Sequence, residues 1–119
     1  MAAAVTLLAI TVEAVADRQM RSAVAAGHPG NRTFRGGLWS VSRHPNYLGE
    51  IGFWWGLYLF ALAAGLSHWW TFVGPAAVTT LFLTVSLPMI ESRMRKQRSD
   101  YEAVSEEVAM LIPNIFPRR

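Results

Sequence analysis

Apolar residues dominate three stretches of the chain, 2–16, 46–66 and 69–90, and polar segments rich in arginine, glycine and proline separate or follow them. A helix needs roughly 20 mainly apolar residues to cross a bilayer, and the second and third stretches reach that length. They predict two spanning helices. The link Ser67-His68 is short enough to make the pair a helical hairpin, with Trp69 and Trp70 where aromatic rings favour the membrane–water boundary. The first stretch, AAAVTLLAITVEAVA, is apolar but short, which fits a truncated span, a tilted span or a processed leader. Ala14-Val15-Ala16 has the small-residue form of a leader cleavage site, but no basic residue precedes the apolar run and Glu13 interrupts its end.

Residues 17–45 form a polar connection, and GHPGNRTFRGG at 27–37 holds too many glycine and proline positions for regular structure, so a loop is expected. From 91 to 112, Met94, Tyr101, Val104, Val108 and Leu111 recur at helical spacing. That pattern predicts an amphipathic helix lying on the membrane or packed under the bundle, ended by Pro113. The expected fold is therefore an all-α membrane protein, with three transmembrane helices and a C-terminal amphipathic helix in a single domain, 1–119.

Composition agrees: 52% of the 119 residues are hydrophobic and 16% charged. The 11 basic residues give a formal net charge of +3 and all fall in 17–47 and 91–119, leaving 48–90 with Glu50 as its single charged side chain. Both basic stretches flank the hairpin on one side, so the positive-inside rule places loop and tail in the cytoplasm. The Asn31-Arg32-Thr33 sequon would then never meet the glycosylation machinery. The basic clusters match no nucleic-acid-binding motif and read as topology signals and anion contacts, so no nucleic-acid partner is expected. With no cysteine there can be no disulfide framework, thiol nucleophile or iron–sulfur cluster. His28, His44 and His68 are too scattered to suggest a metal site, and no P-loop, nucleophile elbow or GxGxxG fingerprint occurs.

Ionisable residues in membrane spans are costly and mark function by default. Glu13, Glu50 and Glu91 lie at the cytoplasmic ends of the three stretches, where Arg43, His44, Arg93 and the Arg32/Arg35 loop also gather. A charged, partly buried cavity is expected there, against the plainer alternative of carboxylates paired with interfacial arginines. In Ser42-Arg43-His44-Pro45-Asn46-Tyr47, Pro45 suits the first position of a helix, and free N–H groups beside Arg43 would favour a phosphate or carboxylate. Gly49, Gly52 and Gly56 line one face of that helix, where another helix or a second copy of the chain can come close.

Gly37-Leu38-Trp39 followed by Ser42-Arg43-His44-Pro45-Asn46-Tyr47-Leu48-Gly49-Glu50 resembles the signature of the bacterial membrane proteins grouped with steroid 5α-reductases. Glu13, Asp17 and Gln19 resemble that family's E-x-x-x-D-x-Q element, and Pro88-Met89-Ile90-Glu91, Arg93, Tyr101 and Ile112-Pro113 resemble its closing segment. The isoprenylcysteine carboxyl methyltransferases, which use S-adenosylmethionine, share an RHPxYxG-like element, but Asn46 and Glu50 lean towards the reductases. The resemblance implies an enzyme of the bacterial inner membrane that binds NADPH at its cytoplasmic face and reduces an activated C=C bond of a lipid-like substrate. It places Arg43, His44, Asn46, Tyr47 and Glu50 on the cofactor-binding wall, closed from the tail by Glu91, Arg93, Arg98 and Tyr101. Members of that family are longer, so the chain is expected to correspond to a C-terminal half without a complete substrate pocket. A methyltransferase and a non-catalytic membrane subunit are the alternatives.

Overall fold

The structure, a computed structural model, describes residues 1–112. Pro113, the expected helix stop, lies outside them. Five α-helices follow one another: α1 (Ala2–Ala25), α2 (Pro45–Ala64), α3 (Val73–Leu81), α4 (Leu87–Gln97) and α5 (Tyr101–Glu107). The described residues form no strands, and the one β-like contact is an isolated parallel bridge between Ser42 and Ala109.

Helix α1 continues nine residues past the apolar stretch, taking in 17–25, which the sequence pattern assigned to a loop. The segment DRQMRSAVA contains neither glycine nor proline, so nothing stops the helix until Gly27. There Gly27 N–H and His28 N–H donate back to the carbonyls of Val24 (3.1 Å) and Ala23 (3.0 Å) and close the end.

Helix α2 starts at Pro45, whose missing N–H would be unpaired in a first turn anyway. It packs along α1 on its glycine face. A Cβ on Gly49 would stand 2.7 Å from both the Ala9 carbonyl oxygen and the Glu13 nitrogen, and one on Gly52 would stand 3.1 Å from Ala9 Cβ. Only glycine allows this approach. The face that the sequence offered to a second copy is thus filled by α1 of the same chain.

The link after α2 is not a bare two-residue turn. Leu66–Phe72 winds as a 3-10 helix and runs into α3, so the chain is helical from Leu66 to Gln97. This 32-residue rod holds a π-helical segment, Phe82–Ser86, just before Pro88. Proline has no N–H to give residue 84 and its ring would clash with that carbonyl, so the helix widens there instead of breaking.

Helix α2 and the rod are the two helices among the described residues that are long and apolar enough to cross a membrane; α1 is not among them. Only 17% and 11% of their apolar windows are buried inside the protein. A soluble core helix would bury most of its length, whereas Leu66, Trp69, Val73, Leu81 and Met89 all face outwards. Such an exterior is matched to a lipid solvent and supports membrane association.

The tail departs from a single helix over 91–112. Arg98 is extended (φ −120°, ψ 115°), and α5 starts afresh at Tyr101. The cause is tertiary. Asp100 Oδ1 accepts hydrogen bonds from the Thr33 N–H and hydroxyl, both at 3.0 Å, and Ser99 N–H donates to the Asn31 carbonyl at 3.2 Å. The 31–33 loop therefore holds the tail at 99–100, and α5 turns back under the bundle. Past α5, Val108 is extended (φ −110°, ψ 129°), and the residues after it pair with the turn before α2: Arg43 N–H donates to the Ala109 carbonyl (2.8 Å) and the Ser42 hydroxyl to the Leu111 carbonyl (2.7 Å).

Candidate functional site

The turn before α2, the end of α4 and the start of α5 meet around one carboxylate. Glu91, 5% exposed, is reached by three side chains. Arg43 Nη1 lies 2.8 Å from its Oε2, the Tyr101 hydroxyl donates to the same oxygen at 2.6 Å, and His44 Nε2 lies 2.9 Å from Oε1. The Arg43 guanidinium also stands over the Tyr101 ring, 5.9 Å from its centre. His44 and Tyr101 are each 1% exposed, and Ser42 beneath them is fully buried, its hydroxyl oxygen accepting from His44 N–H at 3.3 Å.

The local sequence explains this convergence. Pro45 fixes where α2 begins, so His44 sits just ahead of the helix with its ring turned to Glu91 and capping nothing. Tyr101 reaches the same carboxylate because the kink at 98–100 reverses the chain. Burying a carboxylate is tolerable only when its oxygens are well paired, and here both are engaged.

The electrostatics follow from burial. Withdrawal from water lowers the His44 pKa from its usual 6.5, outweighing the attraction of Glu91, while Arg43 and Arg98 push the same way as burial. His44 therefore favours its neutral form. Burial and the Glu91 carboxylate raise the Tyr101 hydroxyl well above its usual range, so it remains protonated and donates.

Of the nine residues expected to form the site, Arg43, His44, Glu91 and Tyr101 come together. Asn46 is close in sequence and its Oδ1 is buried with no hydrogen-bond partner among the described residues. Arg43 Nε and Arg98 Nε are buried and unpartnered in the same sense, although Arg98 Nη1 touches Met94 Sδ at 3.9 Å. Tyr47 packs its ring against His44 (5.8 Å) and Phe82 (5.1 Å). Glu50 is half-buried, near Tyr47 and the Glu13 carboxylate of α1, and has no ion-pair partner among the described residues. Arg93 does not join: two residues past Glu91 it is turned about 200° around the helix, and it lines an outward depression with Met89 and Lys96. Arg35 is occupied by a surface ion pair with Glu107.

Thr33 and Asp100 gave little functional signal in sequence, whereas Gln19 and Trp39 stood in the family-like motifs without revealing what they hold. Asp100 pairs with Thr33 across 67 residues, and Trp39 Nε1 donates to the Ala16 carbonyl at 3.0 Å, fixing the 37–40 turn to α1. Gln19 Oε1 accepts from Leu38 N–H at 2.9 Å. Only the tertiary fold brings these partners within reach.

A cleft of about 530 Å³ opens beside the cluster, with Arg43 at one side and Leu48, Ile51, Leu83, Val108 and Leu111 among its walls. The fold and this site together define a helical protein with two apolar helices of membrane-crossing length and a buried, mixed-charge cluster at one end of them. The chain belongs to the family described as protein of unknown function (DUF1295), which matches residues 1–108. No curated protein and no solved structure matches it.

Proposed function

We propose that the chain forms the cofactor-binding wall of a membrane-embedded, NADPH-dependent reductase that acts on an activated C=C bond of a lipid-like substrate. One observation carries the proposal: three buried polar atoms, Arg43 Nε, Arg98 Nε and Asn46 Oδ1, have no partner among the described residues. A buried polar group left unpaired costs about 1–3 kcal/mol, so three of them, two on the arginines whose charges act on His44 and one two residues past it, favour a ligand over chance. The donor set fits the cofactor. Guanidinium groups complement phosphate oxygens, and an amide oxygen accepts from a carboxamide or an adenine amine.

Glu91 would act through Arg43, holding the guanidinium in place and leaving its Nε edge for the ligand. The neutral His44 and protonated Tyr101 tie down the remaining carboxylate capacity without adding charge. The apolar walls of the adjoining cleft suit a lipid-like substrate. The chemistry such a cofactor supplies is hydride transfer to the β-carbon of an enone, with the oxygen of the substrate taking up charge. The likeness of RHPNYLGE to the reductase signature, stated above, gives this choice over methyl transfer its direction.

Calorimetric titration of the detergent-solubilised chain with NADPH, NADH and S-adenosylmethionine tests it. Selective binding of NADPH that weakens about tenfold in Arg43→Ala, the cost of one charge-assisted contact, is expected. Binding of S-adenosylmethionine alone would move the assignment to methyl transfer, and binding of none would refute a cofactor wall in this chain.

A further inference from the structure

A second cavity lies on the other side of α1 from Glu13 and Asp17, and none of its walls belongs to the Glu91 cluster. Val15, Arg18, Gln19, Ser22 and Ala23 of α1 form one wall of a notch of about 550 Å³, and Phe34, Gly36 and Gly37 form the other. Residues 15, 18, 19, 22 and 23 share a single helical face, whereas 13 and 17 fall about half a turn away. The notch is a fixed part of the fold. Gln19 Oε1 accepts from Leu38 N–H at 2.9 Å and Trp39 Nε1 donates to the Ala16 carbonyl at 3.0 Å, so the 34–39 segment is tied to α1 at two points.

The chemistry of the notch is cationic on an apolar floor. Among the described residues Arg18 is the only charged one lining it, and Asp17 is not among its walls. Arg18 and Arg21, one turn further along, are exposed and form no ion pair among the described residues. Val15 and Phe34 supply the apolar surface, and Val15 remains 38% exposed. The position along α1 matters as much as the composition. Arg18 follows directly on the apolar run 2–16, and a cation at the end of an apolar segment attracts the anionic headgroups of a lipid surface.

We propose that this notch binds the phosphate headgroup of an anionic phospholipid, with Arg18 on the phosphate and an acyl chain running along Val15 and Phe34. The proposal does not depend on the reductase assignment, because no residue of the notch belongs to the Glu91 cluster.

Native mass spectrometry of the full chain, released from micelles containing equal amounts of phosphatidylglycerol and phosphatidylcholine, tests it. The wild-type chain is expected to retain phosphatidylglycerol selectively. Arg18→Gln should lower that retention about tenfold, as the loss of one charge-assisted phosphate contact implies. Arg18→Lys should keep most of it, and Lys96→Gln, which removes a charge elsewhere, should leave it unchanged. Equal retention of the two lipids, or equal loss in Arg18→Gln and Lys96→Gln, would overturn the proposal. So would displacement of the lipid by glycerol 3-phosphate at comparable concentration, which would show a site for free phosphate compounds instead.

Discussion

At the residue scale, Glu91 governs the cluster because three side chains spend their polar groups on it. Truncating it leaves Arg43 buried without its counter-charge and the Tyr101 hydroxyl without an acceptor. Breaking a buried, hydrogen-bonded pair costs about 3–5 kcal/mol, so Glu91→Ala should lower the detergent-state thermal midpoint sharply. Tyr101→Phe, which deletes one hydrogen bond to a charged acceptor, should cost about 1.5–3 kcal/mol. His44 adds a pH dependence. Its folded pKa lies below the 6.5 of the unfolded chain, so between those two values the unfolded state binds the extra proton. Stability should therefore hold above pH 6.5 and fall as the pH drops towards the folded value, then level off in this component. Thermal midpoints from pH 8 to pH 5 would show this fall in the wild type and a smaller one in His44→Gln; equal profiles would show that His44 is not buried in its neutral form.

At the scale of elements, the α1–α2 contact rests on how closely two backbones approach. At Gly49 the two nearest atoms that a Cβ would meet belong to the α1 main chain, which cannot rotate away, whereas at Gly74 nothing lies within 4 Å. Gly49→Ala should cost about 1–3 kcal/mol through forced separation. Gly74→Ala should be neutral or gain up to about 1 kcal/mol from the lower chain entropy of alanine. Denaturation midpoints of the pair give the comparison directly, and similar losses at both positions would contradict the close packing.

The helices themselves were legible from apolar runs, because a span is written in continuous sequence. Their ends were less so. The extension of α1 to Ala25 needed only the absence of a breaker, but the kink at 98–100 depends on Thr33, whose meeting with Asp100 no local pattern encodes. The π-helical segment before Pro88 belongs to the same class: proline announced a disturbance, not the form it takes.

At the scale of the whole molecule, the described residues extend about 50 Å along their longest axis, longer than a hydrocarbon core of roughly 30 Å. The residue types of the site were readable as charges gathered at one end of apolar helices. Which of them meet was not. Arg93 and Glu91 are neighbours in sequence yet face apart, while Arg43 and Glu91, 48 positions apart, lie 2.8 Å from each other.

The central claim is that the unpartnered buried guanidinium edges are ligand groups and not packing defects. Arg98 separates the two most cleanly, since its Nε has no partner among the described residues and Glu91 does not depend on it. The measurement is NADPH affinity of Arg98→Gln beside its thermal midpoint without ligand. A dissociation constant raised about tenfold with an unchanged midpoint is the predicted result. Unchanged affinity accompanied by a lowered midpoint would contradict it and make Arg98 a structural residue alone.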